Sequence, residues 1–187
     1  MSFSLHTKGA IYALIDVANL ESAAKGLNMH IDYRKLRKIF LPDHLKQLRF
    51  YSVRHDSTNQ INFFAFLRHR GYTLITKPLK IIKDPTRDKG YLRKANFDVE
   101  ISVDALSFLT DYETLVLFSG DSDFHYLVKK LRQCGKIVIV ISAKNHISRE
   151  LIESSNRYID LKSLRNTIER INTQKSPSLG PSPSTGS

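Results

Sequence analysis

Thr114-Leu115-Val116-Leu117-Phe118-Ser119-Gly120-Asp121-Ser122-Asp123-Phe124 joins a continuous apolar run to a short turn that carries two aspartates. Its apolar run, Leu115 to Phe118, suits a strand covered by helices on both faces. Gly120 permits a tight turn from strand to helix, and Asp121 and Asp123 fall at or just before the helix amino terminus, where carboxylates are favoured. The helical pattern that follows, from Asp123 to Cys134, is stopped by Gly135 and leads into a second continuous apolar run, Ile137 to Ile141.

On either side of this stretch, short β-branched or aromatic runs alternate with helical patterns, the signature of βα units around a parallel sheet. Strands are expected over Ala10 to Ile15, Leu48 to Val53, Tyr72 to Thr76, Thr114 to Phe118 and Lys136 to Ile141. Helices are expected over Asp32 to Phe40, Asn59 to Arg70, Phe97 to Leu109 and Asp123 to Cys134, with closing helices at Ile147 to Glu153 and Leu161 to Ile171. The fold class is therefore α/β: a single three-layer domain around a central, mostly parallel five-stranded sheet. Residues 166–171 finish the last helix, and 172–187, rich in Ser, Pro and Gly, read as a disordered tail.

At 187 residues the chain is long enough to bury a real core. Cys134 is its one cysteine, expected as a half-buried residue in a last helical turn, so neither an intramolecular disulfide nor a thiolate zinc cluster is available. No apolar run reaches membrane-span length and the first residues lack a signal-peptide core, which points to a cytoplasmic protein. A net charge of +11 favours polyanionic partners, nucleic acid first.

Ligands of an open parallel sheet bind beyond the carboxyl ends of its strands. Asp16 directly follows the first strand, with Asn19 one turn later, while Asp121 and Asp123 follow the fourth. Asp98 opens the helix that feeds the fourth strand, so it too can reach this edge. Asp104 lies about 240° further round that helix and cannot share the same mouth. Several carboxylates confined together repel one another unless a cation neutralises them, and an oxygen-only set with one Asn amide suits Mg²⁺ or Mn²⁺. Such ions would activate a water for attack on a phosphodiester and stabilise charge on the leaving oxygen. The plainer reading is that Asp121, Ser122 and Asp123 cap a helix and that Asp16 and Asp98 are ordinary terminal acids.

Three blocks in order carry a family resemblance: Ile15-Asp16-Val17-Ala18-Asn19, Lys94-Ala95-Asn96-Phe97-Asp98-Val99-Glu100-Ile101 with Asp104, and Ser119-Gly120-Asp121-Ser122-Asp123-Phe124. They resemble the D-x-x-N, K-G-N-x-D-V and S-G-D-[SG]-D-F stretches of the NYN domain family, in particular its LabA-like branch, within the PIN-like nuclease fold. Ala95 stands where the family usually has Gly. The resemblance covers residues 8–165 and implies a three-layer domain with a PIN-like sheet and a metal-dependent ribonuclease. Asp16, Asp98, Asp121 and Asp123 would be the catalytic and metal-holding residues, and RNA the partner, with a homodimer left open. Asp104, Ser122 and His125 are candidates to support them from behind.

Lys77, Lys80, Lys83, Arg87, Lys89, Arg93 and Lys94, set against Asp84 and Asp88, form a flexible basic arm leading to Asp98, with Tyr91 able to stack on a base of single-stranded RNA. Asn19, Ser119, Asn96, Lys89, Arg93 and Lys94 are therefore expected to meet substrate. Arg34, Lys35, Arg37 and Lys38 read as a plain solvent face. The alternative function is a non-catalytic RNA-binding or regulatory module. An aspartyl phosphatase is disfavoured because Ala18 stands where that chemistry needs its second Asp, and neither a serine-hydrolase elbow nor a phosphate-binding P-loop is present.

Overall fold

The computed structural model describes residues 5, 7, 9–40, 44–55, 57–83, 91–94 and 96–171, with only the main chain at 80–83 and 91–94. The chain order is β1 (Ile11–Asp16), α1 (Val17–Gly26), α2 (Tyr33–Arg37), β2 (Leu45–Arg54), α3 (Thr58–His69), β3 (Thr73–Pro78), β4 (Lys80–Lys83), β5 (Tyr91–Lys94), α4 (Asp98–Ser107), β6 (Thr114–Phe118), α5 (His125–Gln133), β7 (Ile137–Ser142), α6 (Arg149–Ser154), β8 (Arg157–Asp160) and α7 (Arg165–Ile168). Six strands form one sheet in the order β3-β2-β1-β6-β7-β8, every pair parallel, while β4 and β5 pair antiparallel on their own.

Side-chain alternation along the central strands builds two cores. Ile11, Ala13, Ile15, Val116 and Phe118 face Leu20 and Ala23 of α1, Leu36 of α2, Phe64 and Leu67 of α3 and Ile168 of α7. Tyr12, Leu14, Tyr51, Leu115 and Leu117 face Ile101 and Ala105 of α4, Leu127, Val128 and Leu131 of α5 and Leu151 of α6. Burial on both faces is why β1 and β6 carry almost no polar residue before their last position. Among the described residues no helix is long and apolar enough to cross a membrane.

The α/β reading holds, with differences. A sixth strand, β8, joins the expected five: its Arg157-Tyr158-Ile159-Asp160 is too short and too charged to stand out, as befits a sheet edge. Helix α1 was also absent from the expected set. It forms because Asp16 caps it and Leu20, Ala23 and Ala24 repeat at helical spacing. The last expected helix is shorter, a 3₁₀ turn at Leu161–Leu164 followed by α7. In place of a wholly flexible basic arm, Lys77 belongs to β3 and residues 80–83 pair with 91–94. Cys134 is exposed, because it caps the carboxyl end of α5 beyond the buried stripe.

Gly120 passes beneath the loop after β7. A Cβ there would stand 1.6 Å from the carbonyl oxygen of His146, which also accepts a hydrogen bond from Ser142 Oγ at 3.2 Å. The loop is tied to Gly120 again by the Ser148 N–H, which donates to the Gly120 carbonyl at 3.1 Å. Gly120→Ala must therefore displace backbone. It is expected to cost about 2–3 kcal/mol and to lower the melting temperature by roughly 5–10 °C, measured by thermal denaturation followed by circular dichroism.

Candidate active site

Strand order reverses between β1 and β6, and the candidate residues gather at the carboxyl ends of these two strands. Asp16 is the last residue of β1 and is 5 % exposed. Its Oδ1 accepts the Asn19 N–H at 3.3 Å and its Oδ2 accepts Asn19 Nδ2 at 2.8 Å, so Asn19 clamps the carboxylate that caps its own helix. Ser119 comes just beyond β6 at 1 % exposure. Its Oγ donates to Asp16 Oδ2 at 3.4 Å and accepts the Asp121 N–H at 3.2 Å. Expected to meet substrate, Ser119 is instead buried and links the two aspartates.

Asp121 caps the 3₁₀ turn Ser122–Phe124, its Oδ1 accepting the Asp123 N–H at 3.1 Å. Asp98, half-buried at the start of α4, accepts Asn96 Nδ2 at 2.7 Å. Asp16, Asn19, Asn96, Asp98 and Asp121 line one cleft of about 380 Å³. Asp123 is exposed and stands outside that lining, on the rim.

The carboxylates are close enough to feel one another. Burial pushes the Asp98 carboxyl up, and the charges of Asp121, Asp16 and Asp123 push it further, with the Asn96 amide opposing. Burial likewise raises Asp16, helped by Asp121 and opposed by the hydrogen bonds from Asn19 and Ser119. All the donors are oxygens, which fits Mg²⁺ or Mn²⁺ in kind. Among the described residues, no three acidic, histidine or cysteine side chains are already gathered as one ion's shell.

The other expected residues fall elsewhere. The Asp104 carboxylate accepts the Tyr51 hydroxyl at 2.7 Å and pairs with Arg49 at 3.2 Å, tying α4 to β2 behind the cleft. His125 turns away, its Nδ1 lying 3.1 Å from the Glu150 carbonyl oxygen. Ser122 is exposed in the 3₁₀ turn, where its carbonyl accepts the His125 N–H. Arg93 and Lys94 have their main chain in β5, and Lys89 lies outside the described residues. Lys77 is held by Glu100 at 2.7 Å and sits 4.5 Å from the centre of the Phe97 ring, so it anchors the start of α4.

Sequence reading missed the part of the cleft lining made by Tyr51, Ser52, Val53, His55, Gln60 and Phe97. Tyr51 pairs in register with Asp16, and burial and the Asp104 carboxylate push its phenol pKa up, so it remains a donor. Gln60 Nε2 donates to the Val53 carbonyl at 2.8 Å while its Oε1 accepts the His55 N–H, fixing the end of β2. The available signal was the β2 strand end itself, which lies on the same edge as Asp16.

Comparison with known proteins agrees with this architecture. The solved crystal structure of a protein of unknown function from Vibrio parahaemolyticus superposes with a TM-score of 0.68 at 24% identity, covering 84% of this chain and 96% of the other, which speaks to the fold alone. The "Low amplitude and bright protein LabA" of Synechococcus elongatus is 38% identical over 120 residues, a match spanning 64% of this chain and 64% of that relative. The family model described as "NYN domain" matches residues 10–164, which include every carboxylate of the cleft, and the chain belongs to the NYN domain family.

Proposed function

We propose that this protein cleaves single-stranded RNA at the acidic cleft with Mg²⁺ or Mn²⁺. The observation that carries the proposal is the convergence of Asp16, Asp98 and Asp121 on one cleft, with the Asp98 charge opposed by three neighbouring carboxylates. Mg²⁺ commonly takes one or two protein carboxylates and keeps several waters, so pairs drawn from these residues suit it without a complete protein cage. Bound there, the ion supplies Lewis acidity toward a phosphodiester and its attacking water. Asn19 holds Asp16 in a single orientation, Ser119 couples Asp16 to Asp121, and Asn96 orients Asp98. The end of β2, where the exposed His55 lines the cleft, is where a base flanking the scissile phosphate would lie.

A labelled single-stranded RNA incubated with the protein and Mn²⁺ should be cut. Cleavage should disappear in EDTA and fall by about 100-fold or more in Asp121→Asn, as expected when charge that holds the ion is removed. Cleavage that persists in both controls overturns the mechanism. The second reading, a module that binds RNA without cutting it, is favoured by the lack of three ready-gathered ligands among the described residues. It predicts RNA that stays intact with every divalent ion while affinity falls steeply with salt.

The carboxylates also make a prediction about stability. Asp16 and Asp98 are acids whose folded-state pKa lies above the ordinary value of 3.8. The folded state therefore holds their protons more tightly, and this stabilisation is complete below the unfolded pKa and lost as pH rises through the folded one. In EDTA, Asp98→Asn should raise the melting temperature by about 1–2 °C near pH 7 and leave it unchanged near pH 3, once solvent screening is allowed for. Mg²⁺ should raise the wild-type melting temperature near pH 7 more than that of the variant. Equal melting temperatures for wild type and variant at both pH values would mean that the carboxylates do not interact.

A further inference from the structure

We propose a phosphate-binding pocket at the amino-terminal edge of the sheet, formed where α2 meets the end of α3. The pocket, about 670 Å³, is lined by Arg34, Lys35, Arg37, Lys38, His69 and Arg70, with Asp32 the one acid among the described lining residues. Two of the cations are already engaged: Arg34 pairs with Asp32 at 3.1 Å, and Lys35 Nζ donates to the Glu169 carbonyl at 2.8 Å. Among the described residues no carboxylate pairs with Arg37, Lys38 or Arg70.

Arg37 provides the second observation. Its Nε is covered by Gly71 and has no hydrogen-bond partner, while the residue as a whole is half-buried and lines the pocket, so the guanidinium brings donor capacity that the fold leaves unused. The guanidinium lies against Gly71, where a Cβ would stand 3.3 Å from Nη2 and 3.4 Å from Nε. Gly71 has φ +78°, so both backbone and space at this point suit glycine. A planar guanidinium offering several donors, beside Lys38, the Arg70 guanidinium over the Phe66 ring at 5.6 Å and an imidazole that can add a donor, matches a multiply charged tetrahedral oxyanion better than a single carboxylate. The pocket lies just before the start of β3 and the acidic cleft beyond the carboxyl ends of β1 and β6, and the two share no lining residue. A phosphate can therefore be held here with no metal present. The group could belong to a free nucleotide or to the backbone of a longer RNA.

The test is a titration of ¹⁵N-labelled full-length protein with inorganic pyrophosphate in EDTA, followed by NMR. The Arg37 Nε–Hε and Gly71 amide signals should move saturably while those of Asp16 and Asn19 stay still, and sodium chloride at matched ionic strength should not reproduce the movement. Arg37→Gln and the exposed Arg70→Gln should each weaken pyrophosphate binding by about fivefold or more, with circular dichroism unchanged. Competition then distinguishes the sources: displacement by uridine monophosphate identifies a nucleotide site, and displacement only by a long oligouridylate identifies an RNA backbone site. Wild-type signals that do not move, or that move equally with sodium chloride, overturn the proposal. Because EDTA is present throughout, that failure is independent of whether the cleft cuts RNA.

Discussion

In a sheet of parallel strands with helices on both faces, the chain can leave a strand tip toward either face. The crevice opens where neighbouring strands leave toward opposite ones. Here that place is the β1–β6 pair, since α1 packs on one core and α5 on the other. Strand alternation then sets which side chains meet. Asp16 continues the side of Tyr12 and Leu14, and Ser119 the side of Leu115 and Leu117, so both project toward the α4 and α5 layer. Their hydrogen bond follows from this parity, and Asp98 reaches them because α4 packs on the same side. Shifting either strand by one residue would turn its polar group into the opposite core.

The same geometry makes the cleft firm on one side and loose on the other. Asp16 is buried, clamped by Asn19 and joined through Ser119 to Asp121, while Asp98 is half-buried and Asp123 exposed. Helix capping and carboxylate clustering are thus not alternatives. Asp16 and Asp121 each cap the turn that follows and each line the cleft, because a carboxylate offers about four acceptor sites and a cap draws on one of them.

What was legible in the sequence was whatever a single strand or turn determines by itself. Asp16 and Asp121 announced themselves by following continuous apolar runs, and Gly120 by separating a strand from a helix. Residues whose role depends on a distant partner gave no such signal. Tyr51 looks like any strand aromatic until register places it beside Asp16 and its hydroxyl meets Asp104. Ser119 looks like a substrate contact until the burial of its neighbours closes over it. Strand β8 and helix α1 escaped because one is a short, charged edge and the other buries only Leu20, Ala23 and Ala24, a narrow stripe with a single large apolar side chain.

The basic pocket belongs to the same class. Arg37 and Arg70 are far apart in sequence, and each reads as solvated until α2 and the end of α3 are packed together. Helix polarity contributes to its composition. Helices of this fold run against the strands, so their negative carboxyl ends collect at the edge opposite the cleft, and His69 in the last turn of α3 with Arg70 at its cap complements that partial charge. This accounts for cations at the edge in general, since an exposed lysine or arginine satisfies a helix end while remaining in water. It does not account for a guanidinium nitrogen withdrawn from water with nothing to donate to. Desolvation without a partner works against the folded state, and the Arg37 head group could avoid it by turning outward as Lys38 is free to do. That it lies against Gly71 instead singles out this pocket from the remaining positive surface.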